Sequence, residues 1–383
     1  MKASRVVAIA WKEWREVVRD RLYFTMAFLL PLITLLVLGY GLSFDVENIP
    51  FAVLDQDRSE LSREYLHRFM DSRYFEYRGD ARSEAELERL LADSRIRLGL
   101  VVPPRFGERL RAARPVAVQG LVDGVFPYRA EVTKGYLAAM NAGFNAGLLE
   151  DHLVRRGLAP ERAQELLEPV RVQTRYLYNQ ALSSRWSLAS GLIMLVLMFV
   201  PPFLTTLGIV REKEFGSIYN IYASNVSRGE FLLGKLAPYA LICWINVGIL
   251  WAVAMLVFGA PFKGDPWFYY GASMVYVICT AGIGLLVSLL VRTQAAAILL
   301  SVTLSFIPAT LYSGLLVPVQ SMDPAARFEA RLFPAVYYLD IVWGTFLKGL
   351  GAPALWPNLV ALAVYAAVLW GVGYALFHKR PRR

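Results

Sequence analysis

Residues 22–42 read LYFTMAFLLPLITLLVLGYGL, 21 positions without one Asp, Glu, Lys or Arg. As an α-helix this stretch spans about 31 Å, enough to cross the hydrocarbon core of a bilayer. A cleaved leader would have a shorter apolar run and an Ala-x-Ala site. Here the run contains Pro31, and Gly39-Tyr40-Gly41 is a poor substitute, so the segment reads as an uncleaved anchor. Working outward, uncharged segments of similar length follow at Trp186–Val210, Leu236–Phe258, Trp267–Val291 and Ala295–Val317. Another, Trp356–Phe377, precedes the tail His378-Lys379-Arg380-Pro381-Arg382-Arg383. Leu332–Leu347 is also apolar but short, carries Asp340, and contains Pro334 and Gly344. A re-entrant or interfacial outer hairpin over 332–350 is expected there.

The rest of the composition agrees with a membrane protein. The 383 residues are 56% hydrophobic and only 19% charged, which excludes a disordered chain and argues against an ordinary soluble one. The net charge of +9 raises nucleic acid as a partner, but its distribution removes that reading. Residues 43–185 hold 21 basic and 21 acidic side chains and are neutral. With the N-terminus inside, the inner segments hold 15 Lys and Arg against four in the short outer loops. Both termini are therefore expected in the cytoplasm, with 43–185 outside, since long segments translocate regardless of charge.

The expected class is a polytopic α-helical membrane protein with six transmembrane helices and an α/β extracytoplasmic domain inserted between helices 1 and 2. Residues 1–21 form a cytoplasmic amphipathic helix, in which Ala3, Val7, Trp11, Trp14 and Val18 make one face opposite Lys12, Glu13, Arg15, Glu16, Arg19 and Asp20. Span one is 22–42, the inserted domain 43–185, and the remaining bundle 186–383. In the inserted domain, strands are expected at Phe51–Leu54, Tyr74–Tyr77, Ile96–Val102 and Val116–Val122. Val170, Val172, Thr174, Tyr176 and Tyr178 alternate as a returning strand. Helices are expected from Asp57, capped with Glu60, to Asp71, and from Ser83, capped with Glu86, to Asp93. A long helix over 127–156 and a short one from Pro160 follow.

Catalytic chemistry finds no foothold. The carboxylates of the inserted domain lie among arginines on solvated helix faces, and His67, His152 and His378 have no metal-ligand spacing. Cys243 and Cys279 both fall within spans. Gly229–Lys235 spells the opening of a phosphate-binding loop. However, Leu236 stands where Ser or Thr must hold Mg²⁺, no strand precedes it, and it runs into a span. No ATP site is expected in this chain. The inner loop 211–235 is more informative: Arg211-Glu212-Lys213-Glu214-Phe215-Gly216 leaves span two, and Ile218, Tyr219, Ile221 and Tyr222 suggest a short helix with an apolar side.

Several motifs in their order resemble those of one family. They are Trp11-Lys12-Glu13, Ala52-Val53-Leu54-Asp55-Gln56-Asp57 with Ser59 and Ser62, Val101-Val102-Pro103-Pro104-Arg105-Phe106, and Val122-Asp123-Gly124. Arg175-Tyr176-Leu177-Tyr178-Asn179, Glu212–Gly216, Gly234-Lys235 and Phe346-Leu347-Lys348-Gly349 continue the series. Over nearly its whole length the chain resembles ABC exporter permeases of the type-two class, in the bacterial drug-efflux branch. It departs from them in having Asn179-Gln180 for Asn-Pro and no proline near 224–226.

That resemblance implies a permease half in the bacterial inner membrane. It would work as a dimer, with a second copy or a similar permease, beside two cytoplasmic ABC ATPase subunits that hold the ATP and Mg; this chain itself needs no cofactor. A periplasmic adaptor protein is a further partner the resemblance allows. Residues 1–21 would be the connecting helix. Arg211, Glu212, Lys213, Glu214, Phe215, Gly216, Tyr219 and Tyr222 would couple to the ATPase. Spans two and five would line the substrate path, with Met194, Met198, Phe199 and Phe203 facing Thr303, Phe306, Thr310 and Tyr312. The spans contain no ionisable side chains besides tyrosines and the two cysteines, which favours a hydrophobic or amphipathic, drug-like cargo. Export of lipid or polysaccharide by the same machinery, or a non-transporting envelope receptor or scaffold, are the alternatives.

Overall fold

A computed structural model of the chain describes residues 2–112, 114–167, 174–217 and 225–377, with the side chains of Leu22 and Gln164 left aside. Two compact units result, Met1–Ser43 with Arg175–Arg383, and Phe44–Thr174.

The first unit begins with α1 (Ala3–Arg19), whose apolar residues fall on two faces. Val6, Ile9 and Ala10 are half-buried, and Glu13 and Val17 are fully buried. The face expected from periodicity points outward instead: Val7, Trp11 and Val18 are 65%, 57% and 49% exposed. Glu13, expected on the solvated side, is thus the polar member of the buried stripe. The first apolar segment is α2 (Arg21–Phe24), a π turn (Thr25–Leu29) and α3 (Leu30–Gly41). At the turn, the Leu30 N–H bonds to Thr25 O, five residues back. Pro31 explains the local break, since it has no N–H to offer the carbonyl of Ala27. The carboxamide of Asn246 donates to that carbonyl at 2.7 Å instead.

The second unit is an α/β sandwich: β1 (Ile49–Asp55), α4 (Glu60–Met70), β2 (Phe75–Asp80), α5 (Glu84–Ala92), β3 (Leu98–Val102), α6 (Phe106–Arg111), β4 (Gln119–Val122), α7 (Pro127–Arg155) and α8 (Pro160–Leu167). The sheet order is β2-β1-β3-β4, with β1 parallel to β2 and β3, and β4 antiparallel to β3. Phe51 and Val53 face a core containing Tyr65, Phe69, Phe106 and Phe144, while Ala52 and Leu54 face one containing Leu87 and Ile96. Both faces being covered explains why residues 51–54 are uniformly apolar rather than alternating.

Two details differ from the sequence reading. Ser59, not Asp57, caps α4 by accepting the Ser62 N–H; the Asp57 carboxylate accepts the Gly107 N–H at 2.9 Å, at the start of α6. Of the expected returning strand, residues 168–173 lie outside the described residues, and Thr174, Tyr176 and Tyr178 form no strand.

The chain returns to the first unit with α9 (Ser184–Glu214), α10 (Arg228–Leu256), α11 (Pro266–Leu290), α12 (Gln294–Tyr312), α13 (Pro324–Arg331), α14 (Pro334–Trp343) and α15 (Ala352–Leu376). Five of these, α9, α10, α11, α12 and α15, are long and apolar enough to cross a membrane; Thr25–Gly41 is a shorter apolar helix. Helix α9 is the core of this unit. Its apolar length is entirely buried against α3, α10, α11, α12 and α14, which is why it is hydrophobic all round. Gly284 lets α11 approach α9 closely: a Cβ there would lie 2.4 Å from Pro202 O. The Thr206 hydroxyl lies 2.9 Å from Gly284 O, and Ser301 donates to Thr206 at 3.0 Å, which joins α9, α11 and α12.

The apolar 332–347 segment is helix α14 followed by a π turn, Gly344–Lys348, rather than a segment broken at its proline. Pro334 sits in the first helical turn, where its missing N–H costs nothing. Tyr338 stacks on Tyr276 with centroids 4.0 Å apart, and Trp343 Nε1 donates to Ser187 O.

Candidate functional site

The distinguishing chemistry of the first unit is a set of charges gathered where α1, the end of α9 and the start of α10 meet. Gly234 brings α1 and α10 together: a Cβ there would lie 2.8 Å from Ile9 Cβ and 2.9 Å from Val6 O. The next residue, Lys235, is 1% exposed and donates to Glu13 Oε1 at 2.6 Å and Glu212 Oε1 at 2.7 Å. Lys12 donates to the same Glu212 oxygen at 2.8 Å. Tyr239, one turn beyond Lys235, donates its hydroxyl to Glu13 Oε2 at 2.8 Å.

The buried carboxylates of Glu13 and Glu212 are offset by Lys235 and Lys12, as burial of charge requires, and Lys12 also pairs with Glu16 at 3.4 Å. The two acids are nonetheless unequal. Burial pushes the Glu13 carboxyl up, against the pull of Lys235 and Tyr239. Glu212 is also buried, but Lys235 and Lys12 together hold it below the usual range. For Lys12, the hydrogen bond and charge of Glu212 outweigh burial and raise it.

The last turn of α9 reaches a different helix with each successive side chain. Arg211 pairs with Asp20 at 3.2 Å and lies over the Tyr23 ring. Glu212 joins α1 and α10 through the cluster. Lys213 donates to Ser288 O, near the end of α11. Glu214 accepts the Gln294 N–H at 2.9 Å, at the first residue of α12. Beyond them Phe215 is 71% exposed, and Gly216 has φ +73, which ends the helix. On the other side of the loop, Ser227 and Glu230 form a capping box for α10, and Glu230 also accepts the Lys2 N–H at 2.6 Å.

Arg211, Glu212, Lys213, Glu214, Phe215 and Gly216 thus sit at one place, whereas Tyr219 and Tyr222 lie outside the described residues. Glu13 and Lys235 stood in the family motifs without a role and Tyr239 was missed, because the contacts of Glu13 with Lys235 and Tyr239 span over 200 residues and leave no local spacing to read. Residues 229–235 are the opening turns of α10, and the lysine that imitated a phosphate ligand is held by two carboxylates.

Of the expected path residues, Met194, Met198, Phe199 and Phe203 are buried on α9. Phe199 meets Phe306 of α12 edge-on with centroids 5.8 Å apart. Thr303 is exposed, Thr310 donates to Phe306 O, and Tyr312 stacks on Phe333. Cys243 and Cys279 are free and buried, and among the described residues no cluster of His, Cys, Asp or Glu is placed to hold a metal.

The family of ABC-2 family transporter proteins matches residues 21–375. The chain is 27% identical to "Probable multidrug ABC transporter permease YbhS" of Escherichia coli (strain K12), covering 98% of this chain and 97% of that protein. It is 24% identical to "Probable multidrug ABC transporter permease YbhR" of the same organism, covering 98% and 99%. It is 21% identical to "Linearmycin resistance permease protein LnrN" of Bacillus subtilis (strain 168), covering 97% and 98%. With a family match over nearly its whole length and a bundle of membrane-length apolar helices, the chain belongs to the ABC-2 family of transporter proteins, as a membrane permease.

Proposed function

We propose that this permease is the membrane half of an ATP-driven exporter of hydrophobic or amphipathic compounds, and that the end of α9 receives the motion of a cytoplasmic ATPase. The observation that carries the reading is the run Arg211–Glu214, four consecutive residues bound to four different parts of the unit. A displacement at Phe215 and the loop beyond it would be felt at α1, α10, α11 and α12 together. Coupling needs such a packed element that moves as one. In this reading Thr25–Gly41 is the sixth span, seated in locally thinned bilayer to match its length. Both termini are cytoplasmic, the Phe44–Thr174 unit is extracytoplasmic, and ATP and Mg belong to the partner subunits. Two permeases, identical or similar, pair to enclose the path, and the exposed side of α12 that carries Thr303 faces that path. An adaptor could join the outer unit.

The test uses the permease co-purified with its ATPase. Glu212→Gln with Glu214→Gln should retain the bound ATPase and its basal turnover while losing stimulation by exported compounds. Stimulation equal to the unaltered complex would overturn the coupling assignment. Stimulation by a lipid or polysaccharide alone, and by no drug-like compound, would overturn the cargo assignment.

A further inference from the structure

The Phe44–Thr174 unit contains a cleft of about 530 Å³ at the carboxyl ends of β1 and β2, against α4. Arg58 follows β1, Arg82 follows β2, and Arg63 and His67 stand one turn apart on α4; all four line the cleft. Its apolar lining comes from Leu54, Leu66, Met70 and the ring of Tyr77.

Some arginines of this unit are paired, Arg68 with Glu64, Arg78 with Glu76, Arg97 with Asp123 and Arg111 with Glu60, and others, such as Arg89 and Arg129, have no ion pair among the described residues. Among the described residues the guanidinium groups of Arg58, Arg63 and Arg82 make no ion pair and no hydrogen bond. Acids do line the cleft, but they are engaged. Asp55 accepts the N–H groups of Asp57 and Arg58 through Oδ1 and the Ser62 hydroxyl through Oδ2. Asp80 accepts the Tyr77 hydroxyl at 2.8 Å. An adjoining hollow shares Arg58, Arg63 and His67 and is bordered by Glu60 and Glu64, the partners of Arg111 and Arg68.

Arg58 is also held at φ +53, a left-handed backbone that a branched or long side chain rarely adopts. Asp55 accepts the Arg58 N–H at 2.9 Å and holds the loop in that form.

We propose that this cleft binds a phosphate-bearing ligand, with the phosphate among the guanidinium groups of Arg58, Arg63 and Arg82 and an organic portion against Leu54, Leu66, Met70 and Tyr77. Guanidinium forks match phosphate oxygens two at a time, and a tetrahedral dianion has enough oxygens for several forks where one carboxylate does not. The apolar lining gives the rest of the molecule a surface to cover. A free phosphorylated compound and a phosphorylated lipid headgroup share this chemistry.

The experiment uses the full-length chain in detergent micelles for equilibrium dialysis against labelled inorganic phosphate. In parallel, the chain in phosphatidylcholine bilayer discs is tested for co-flotation with vesicles of phosphatidylcholine, with or without phosphatidic acid. Saturable binding in dialysis identifies a soluble ligand, and capture by the phosphatidic acid vesicles alone identifies a headgroup; either supports the site. Arg58→Gln, Arg63→Gln and Arg82→Gln should each weaken binding about tenfold, the worth of one charge-assisted contact. Arg111→Gln, outside the cleft, should bind as the unaltered chain. Unaltered thermal unfolding of the single variants shows that each has folded. No saturable binding in either arm, or binding unchanged in all three variants, would overturn the proposal.

Discussion

Lys235 shows how much one buried side chain can hold. Its ammonium group is the point where Glu13 and Glu212 meet. Removing one member of a buried ion cluster leaves the others uncompensated and costs about 3–5 kcal/mol. Lys235→Ala should therefore lower the thermal midpoint strongly, and adding Glu13→Gln should recover part of the loss. Equal, additive losses in a double-mutant cycle would show that the pair is not coupled. Glu230 predicts a pH effect of known sign. Backbone N–H groups of Ser227 and Lys2 hold its carboxyl down from 4.5 to about 2. The stability this gives is complete above 4.5 and is lost as pH falls through about 2. Glu230→Gln should therefore flatten the acid limb of stability between those values, read by unfolding at stepped pH. An unchanged limb would dismiss Glu230 as the source. The pairing of Glu13 with Lys235 was not legible at single residues. Glu13 read as a solvated helix charge, because its partner lies in another helix beyond a whole inserted domain.

Helices and strands were far more readable than their partners. Pro127, Pro160, Ser83 and Pro266 mark helix starts by local chemistry, and the 51–54 run marks a strand buried on both faces. Helix α6 escaped notice because it is six residues long and follows Arg105 at φ +60. The π turn before α3 escaped because its remedy, Asn246, comes from another span. That remedy is testable. Asn246→Leu leaves the Ala27 carbonyl without this donor and should cost about 1–3 kcal/mol. In a Pro31→Ala background the backbone N–H of residue 31 can serve Ala27, so the same substitution should be nearly neutral. Equal costs in both backgrounds, measured by thermal unfolding in detergent, would sink this account of the turn.

At the scale of the whole molecule, hydropathy identified the class at once, since charge-free runs of over twenty residues have few alternatives. Which helix occupies the centre was hidden, because all the spans look alike in composition and only packing distinguishes α9. The proposed orientation can be mapped with little background, as Cys243 and Cys279 are both buried. A membrane-impermeant maleimide should label Glu88→Cys in intact cells and Arg15→Cys only after lysis. The reverse pattern would invert the topology.

The buried cluster also sets an order of events during synthesis. Glu13 and Lys235 are 222 residues apart. At ribosomal speeds of about 5–20 residues per second, the acid waits roughly 10–45 s for its base. Throughout that interval α1 has no buried seat, and a chain stopped before Lys235 has two acids at that seat without the lysine between them. A chain that ends before Lys235 therefore lacks the residue that joins Glu13 to Glu212.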